Sequence, residues 1–97
     1  MATYITLLKF TEQGRKTIKE GPSRLEKAKQ LARSMGGELK SFYLVQGHYD
    51  AVTISEAPSD EVVTKFALAI GALGNIRTET LRAFTEDEYR KLVSALP

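Results

Sequence analysis

The chain has 97 residues, 42% of them hydrophobic and 27% charged, which fits a single soluble globular domain spanning residues 1–97 and leaves no room for a second. Fourteen Lys and Arg stand against twelve Asp and Glu, and the resulting net charge of +2 is too small to recruit nucleic acid or an acidic membrane by bulk attraction. Cysteine is absent, which excludes disulfides, thiolate nucleophiles and cysteine-ligated metal centres. The basic residues are concentrated between Lys9 and Lys40, a solvated helix face set against a more acidic second half. The longest nearly apolar run, Phe66 to Leu73, falls far short of the roughly 20 residues a membrane-spanning helix requires. Met1-Ala2-Thr3-Tyr4 leads into a strand pattern without the basic and apolar regions of a signal peptide, so a cytoplasmic protein is expected. A chain this short buries only about 60–65% of its unfolded surface, and an added interface would strengthen it considerably.

Thr3 to Phe10 is rich in β-branched and aromatic residues and reads as a strand, with apolar groups in both alternating sets. Thr11 to Gly21 has room for a turn or two of helix before Pro22 interrupts it. Ser23-Arg24-Leu25-Glu26 has the form of a capping box, and Leu25, Ala28, Leu31, Ala32 and Met35 then fall on one helical stripe that Gly36-Gly37 ends. Glu38 to Gln46 and Tyr49 to Glu56 predict two strands joined by a two-residue turn at Gly47-His48. Leu44 then faces Ala51 and Phe42 faces Thr53, while Leu39, Tyr43, Val45, Val52 and Ile54 lie on the other side. Ser59-Asp60-Glu61 opens a second helix that is apolar around most of its circumference from Val62 to Leu73, the pattern of a helix buried on more than one side. Ile76 to Phe84 alternates as a fourth strand, and Thr85 to Glu88 is a capping box opening a C-terminal helix with Tyr89, Leu92, Val93 and Leu96 as its stripe.

The order strand, helix, strand, strand, helix, strand is an α+β, ferredoxin-like βαββαβ arrangement, here followed by a C-terminal helix. Its helices cover one sheet face only. Phe42, Leu44, Leu8 and Phe10, or their alternating neighbours, are left on the other, a larger apolar patch than a monomer normally exposes. The expectation is a homodimer whose sheets pack face to face, with further association through the second helix.

The segments KFTEQG at Lys9 to Gly14, GGELKSFY at Gly36 to Tyr43, GHYD at Gly47 to Asp50 and GNIRTETLRAF at Gly74 to Phe84 resemble those of the GYD domain family. The resemblance spans most of the chain and implies a dimeric α/β barrel that self-associates, without implying an activity. The Gly, Tyr and Asp of the family name correspond to Gly47, Tyr49 and Asp50, with His48 intervening.

Candidate chemistry is sparse. His48, the sole imidazole, is a candidate proton shuttle, set against the ordinary fate of a turn histidine, which is exposure. Tyr49 and Asp50 are adjacent, so in a strand they point to opposite faces; both are candidate ligand contacts, Tyr49 through its hydroxyl, while Asp50 also fits a structural acceptor near the turn. Arg77 shares a face with Glu79, and Arg82 shares the other with Thr78 and Thr80, so either arginine is a candidate for a carboxylate or phosphate, alongside Phe42 as an apolar contact. Salt bridges and edge-strand protection account for the same arginines. The strand beginning at Tyr49 carries acids where an RNA-binding sheet has basic and aromatic residues. No phosphate loop, dinucleotide fingerprint or metal-ligand cluster is present, so neither a cofactor nor a metal is expected.

Two functions compete at this stage. One is a homo-oligomeric, non-enzymatic domain holding a small, partly apolar ligand between sheet and helices. The other is a cofactor-independent oxygenase or isomerase, with Tyr49 and His48 deprotonating an aromatic or enolisable substrate.

Overall fold

A computed structural model describes residues 1–97 as one four-stranded antiparallel sheet with two long helices against one face. The elements are β1 (Ala2–Phe10), α1 (Glu12–Lys16), a 3-10 turn (Ile18–Glu20), α2 (Gly21–Ser34), β2 (Glu38–Leu44), β3 (Ala51–Ala57), α3 (Asp60–Ala72), β4 (Ile76–Ala83) and α4 (Glu86–Ser94). The strand order β2-β3-β1-β4 is the ferredoxin-like order anticipated from the element sequence.

The register settles which residues share a face. Phe42, Thr53, Thr6 and Thr80 form one cross-strand row beneath the helices, flanked by the row Leu44, Ala51, Leu8, Thr78 and the row Leu39, Ser55, Tyr4, Arg82. The opposite face carries Ile5, Leu7, Val52, Ile54, Tyr43 and Leu81. The uncovered apolar patch is therefore made by the alternating neighbours, and Phe42, Leu44, Leu8 and Phe10 face the helices. A register shift between Leu39 and Ser41 moves Leu39 to the helix side, against the simple alternation expected for it.

Two further expectations are corrected. The β2–β3 connection is wider than a two-residue turn: β2 ends at Leu44, β3 begins at Ala51, and the Val45 N–H donates to the Asp50 carbonyl at 2.9 Å. Asp50 is drawn out of the hairpin because it clamps β1, its N–H donating to the Leu8 carbonyl at 2.8 Å and its carboxylate accepting from the Phe10 N–H at 2.8 Å. Gly47 lies in this loop at φ 116°, a conformation that favours glycine. Likewise, α2 starts at Gly21, ahead of the expected Ser23 cap. Pro22 sits in the first turn, where the N–H it lacks has no partner to lose, so it opens the helix and does not interrupt it. The Arg24 guanidinium reaches back to the Thr17 hydroxyl at 2.6 Å and Glu20 at 3.0 Å, fastening the 3-10 turn to the helix.

The other boundaries follow their signals. Ser59 accepts from the Val62 N–H at 3.2 Å, and both hydrogen bonds of the Thr85–Glu88 capping box are formed. Thr11 donates through its N–H to the Asn75 carbonyl at 3.0 Å and through its hydroxyl to the Gly74 carbonyl at 2.6 Å, joining α1 to the α3–β4 turn. A Cβ on Gly14 would stand 2.1 Å from the Asn75 carbonyl oxygen, so this approach is open to glycine alone.

Only eight of the 97 residues are buried, so the chain does not fill its own interior. Tyr4, Ala57 and Val63 form a small packed cluster, while the outer side of α3, including Leu68, faces solvent. Within a single chain α3 is thus not covered all round. Every residue of α4 except Glu88 is exposed, including the Tyr89, Leu92 and Val93 stripe, and the molecule measures 52 × 31 × 18 Å. No helix is long and apolar enough to cross a membrane.

Candidate functional site

The sequence explains the chamber beneath the helices. Most sheets put bulky branched residues against their helices, but β3 offers Ala51, Thr53, Ser55 and Ala57, and β4 offers Thr78 and Thr80. These short side chains leave a cavity of about 500 Å³, within the range of small-molecule sites. Its roof is Leu25, Leu31 and Met35 of α2 with Phe66 and Ile70 of α3, and its floor is the strip of hydroxyls from Thr53 through Thr6 to Thr80. Phe42 walls one side.

One end of the same sheet face is closed by a latch that sequence patterning does not reveal. Tyr4 is 2% exposed, and its hydroxyl donates to the Asp60 carboxylate at the start of α3. Burial and this acceptor together hold the phenol above its ordinary pKa of 10.0. The Arg82 guanidinium lies 5.7 Å from the centre of the Tyr4 ring and 4.4 Å from that of Phe84, within cation–π range of both. Arg82 shares a face with Thr78 and Thr80 as expected, but it lines neither cavity.

On the uncovered face, Leu7, Lys9, Tyr49, Arg77, Thr78 and Glu79 enclose a smaller cleft of about 240 Å³. Tyr49 donates to the Glu79 carboxylate at 2.9 Å, and the Lys9 ammonium lies 5.6 Å from the centre of its ring. The hydrogen bond to Glu79 raises the Tyr49 pKa, which suits the phenol to donating a hydrogen bond and not to acting as a base at neutral pH. Lys9 and Arg77 face each other directly in the β1–β4 register.

The candidate residues are consequently dispersed. Tyr49 and Arg77 share the smaller cleft, Phe42 lines the large chamber, Asp50 is engaged with the backbone of β1, and Arg82 stacks on aromatic rings. His48 is exposed and lines neither cavity. The Thr strip and the Tyr4–Asp60 latch escaped sequence reasoning. The signal available for the strip was the recurrence of Thr at inward strand positions; nothing local points from Tyr4 to a residue 56 positions away.

Comparison with known proteins places this geometry. A family model described as GYD domain matches residues 4–93. A Thermus thermophilus protein named glutamine synthetase and cystathionine beta-lyase binding protein is 33% identical over 84 residues, covering 86% of this chain and 88% of its own. Among solved structures, a feast or famine regulatory protein from M. tuberculosis complexed with L-methionine matches 90% of this chain with a TM-score of 0.64 and 20% identity. The chain spans about half of that regulator, 54% of its length. A solved T. thermophilus structure matches 88% of this chain and 95% of its own, with a TM-score of 0.56 and 23% identity. At such identities the solved structures share the fold alone.

Proposed function

The chain belongs to the GYD domain family, and from that premise we propose that it is a self-associating binding domain that holds a small, largely apolar molecule between its sheet and helices. The observation that carries this reading is the apolar chamber of about 500 Å³. A chain with so few buried residues and so large an unfilled gap between sheet and helices gains stability from whatever occupies it. Self-association rests on the second face, where Ile5, Leu7, Val52, Ile54 and Leu81 have no helix over them. Removing apolar surface of this kind from water contributes about 25 cal/mol per Å², and a second copy supplies a matching surface by symmetry.

The name of the 33% identical relative, which describes a protein that binds enzymes, supports a binding role over a catalytic one. The oxygenase or isomerase reading gains nothing from the geometry: His48 is outside both cavities, and Tyr49 is paired with a carboxylate that disfavours its ionisation. The test is native mass spectrometry of the purified full chain at micromolar concentration. The expected spectrum shows at least two chains per particle with a small molecule retained. A single well-behaved subunit that carries nothing and takes up no apolar probe would overturn the proposal.

A further inference from the structure

The chemistry of the chamber floor narrows the class of molecule it takes, and this step rests on the ligand-holding reading above. Thr53, Thr6 and Thr80 lie side by side on three adjacent strands, with Ser55 and Thr78 on the flanking rows. Neighbouring strands are spaced about 4.8 Å apart, so three hydroxyls in a row span about 10 Å. Thr6 and Thr80 approach each other at 3.4 Å, the one hydrogen bond among these hydroxyls, which leaves the strip free to bond something above it. Facing it are mainly aliphatic and aromatic side chains, Leu31, Met35, Phe66 and Ile70 among them.

Such a space has one wet side and one dry side. The charged residues of its lining, Arg24, Lys27, Glu38 and Glu56, lie on α2 or towards the ends of β2 and β3, outside the central row. An ion placed over the strip would lose part of its hydration with no counter-charge in the central row, and that cost is larger than the cost of moving a neutral hydroxyl or carbonyl. Hydroxyls both donate and accept, so they accommodate either kind of neutral oxygen. A pure hydrocarbon would leave the strip unpaired. We propose that the chamber selects an uncharged, largely apolar molecule with hydroxyl or carbonyl oxygen along the edge that meets Thr6, Thr53 and Thr80.

The test compares 2-naphthol with naphthalene, followed by their own fluorescence, which is readily isolated because the chain has no Trp. The full-length chain is used, with Thr6, Thr53 and Thr80 intact or all replaced by Val, a residue of the same shape that strands favour. The intact chain is expected to bind 2-naphthol about tenfold more tightly than the triple variant, the effect of one or two lost hydrogen bonds, while naphthalene binds both equally or prefers the variant. Thr80→Val alone, on the edge strand, should give a smaller loss of 2-naphthol affinity in the same direction, which keeps the test intact should the triple variant fold poorly. Equal 2-naphthol affinity in all three proteins would overturn the proposed ligand class and leave the chamber reading standing. Failure of both compounds to bind the intact chain would overturn the chamber reading as well.

Discussion

Tyr4 ties the start of β1 to the start of α3, and the role of its hydroxyl can be separated from that of its ring. Tyr4→Phe keeps the buried ring and removes the bond to Asp60, so it should destabilise the chain by about 1–2 kcal/mol in urea unfolding. The same side chain sets a pH limit. Its folded pKa lies above the unfolded value near 10.0, so its contribution is complete below pH 10 and is lost as the pH rises through the folded value. Stability of the wild-type chain should therefore fall on the alkaline side of pH 10 by an increment that Tyr4→Phe lacks, measured by unfolding curves across that range. At this scale the sequence was unevenly legible. Asp50 reads correctly as a backbone acceptor, although its donor is the Phe10 N–H of β1, 40 positions away, and not the turn beside it. The Tyr4–Asp60 pair does not, because no short-range rule connects β1 to the cap of α3. The Thr strip sits between these cases, since its members are visible one at a time but become a row only once three strands are in register.

Among the α-helices, α1 is the shortest, and its position depends on one atom-scale approach. The Gly14 backbone lies against the Asn75 carbonyl, while the side chains of Thr11 and Gln13 bond the same turn, Gln13 meeting the Asn75 side chain at 2.9 Å. Gly14→Ala must push that turn away, and the expected cost is about 1–3 kcal/mol, read as a lowered midpoint in thermal unfolding. These contacts bring together two of the segments that carry the family resemblance, the end of Lys9 to Gly14 meeting the start of Gly74 to Phe84. Helix and strand identities, and their order, were readable throughout because apolar periodicity and capping residues agreed at most ends. Of the departures, at Gly21-Pro22, at the 45–50 loop and at the Leu39–Ser41 shift, the first two arise where a contact outside the element overrides its local signal. Arg24 acts in the first case, through Thr17 and Glu20, and Asp50 in the second, through β1. No contact in the structure explains the third.

For the whole molecule, the face without helices is the feature with most consequence. Ile54 lies opposite Ile5 in the middle of it, so Ile54→Arg would place a charge at the centre of any sheet-to-sheet contact. The variant is expected to run as a single subunit in light scattering where the wild-type chain runs as two or more, with its circular dichroism unchanged. That both sheet faces are apolar was apparent from the strand patterns; which set faced the helices required the three-dimensional register. A different corner of the same face answers to the solvent. Lys9 and Arg77 stand across from each other, and the nearby Glu79 is engaged by Tyr49. Opposed like charges loosen a strand pair, and dissolved ions weaken their repulsion by shortening the screening length from about 30 Å at 0.01 M to about 8 Å at 0.15 M. Arg77→Gln should therefore be stabilising in dilute buffer and nearly neutral near 0.15 M salt, by chemical unfolding at the two ionic strengths. Salinity, then, acts here as a fastener for the β1–β4 seam, and this edge of the sheet should hold together best in a concentrated electrolyte.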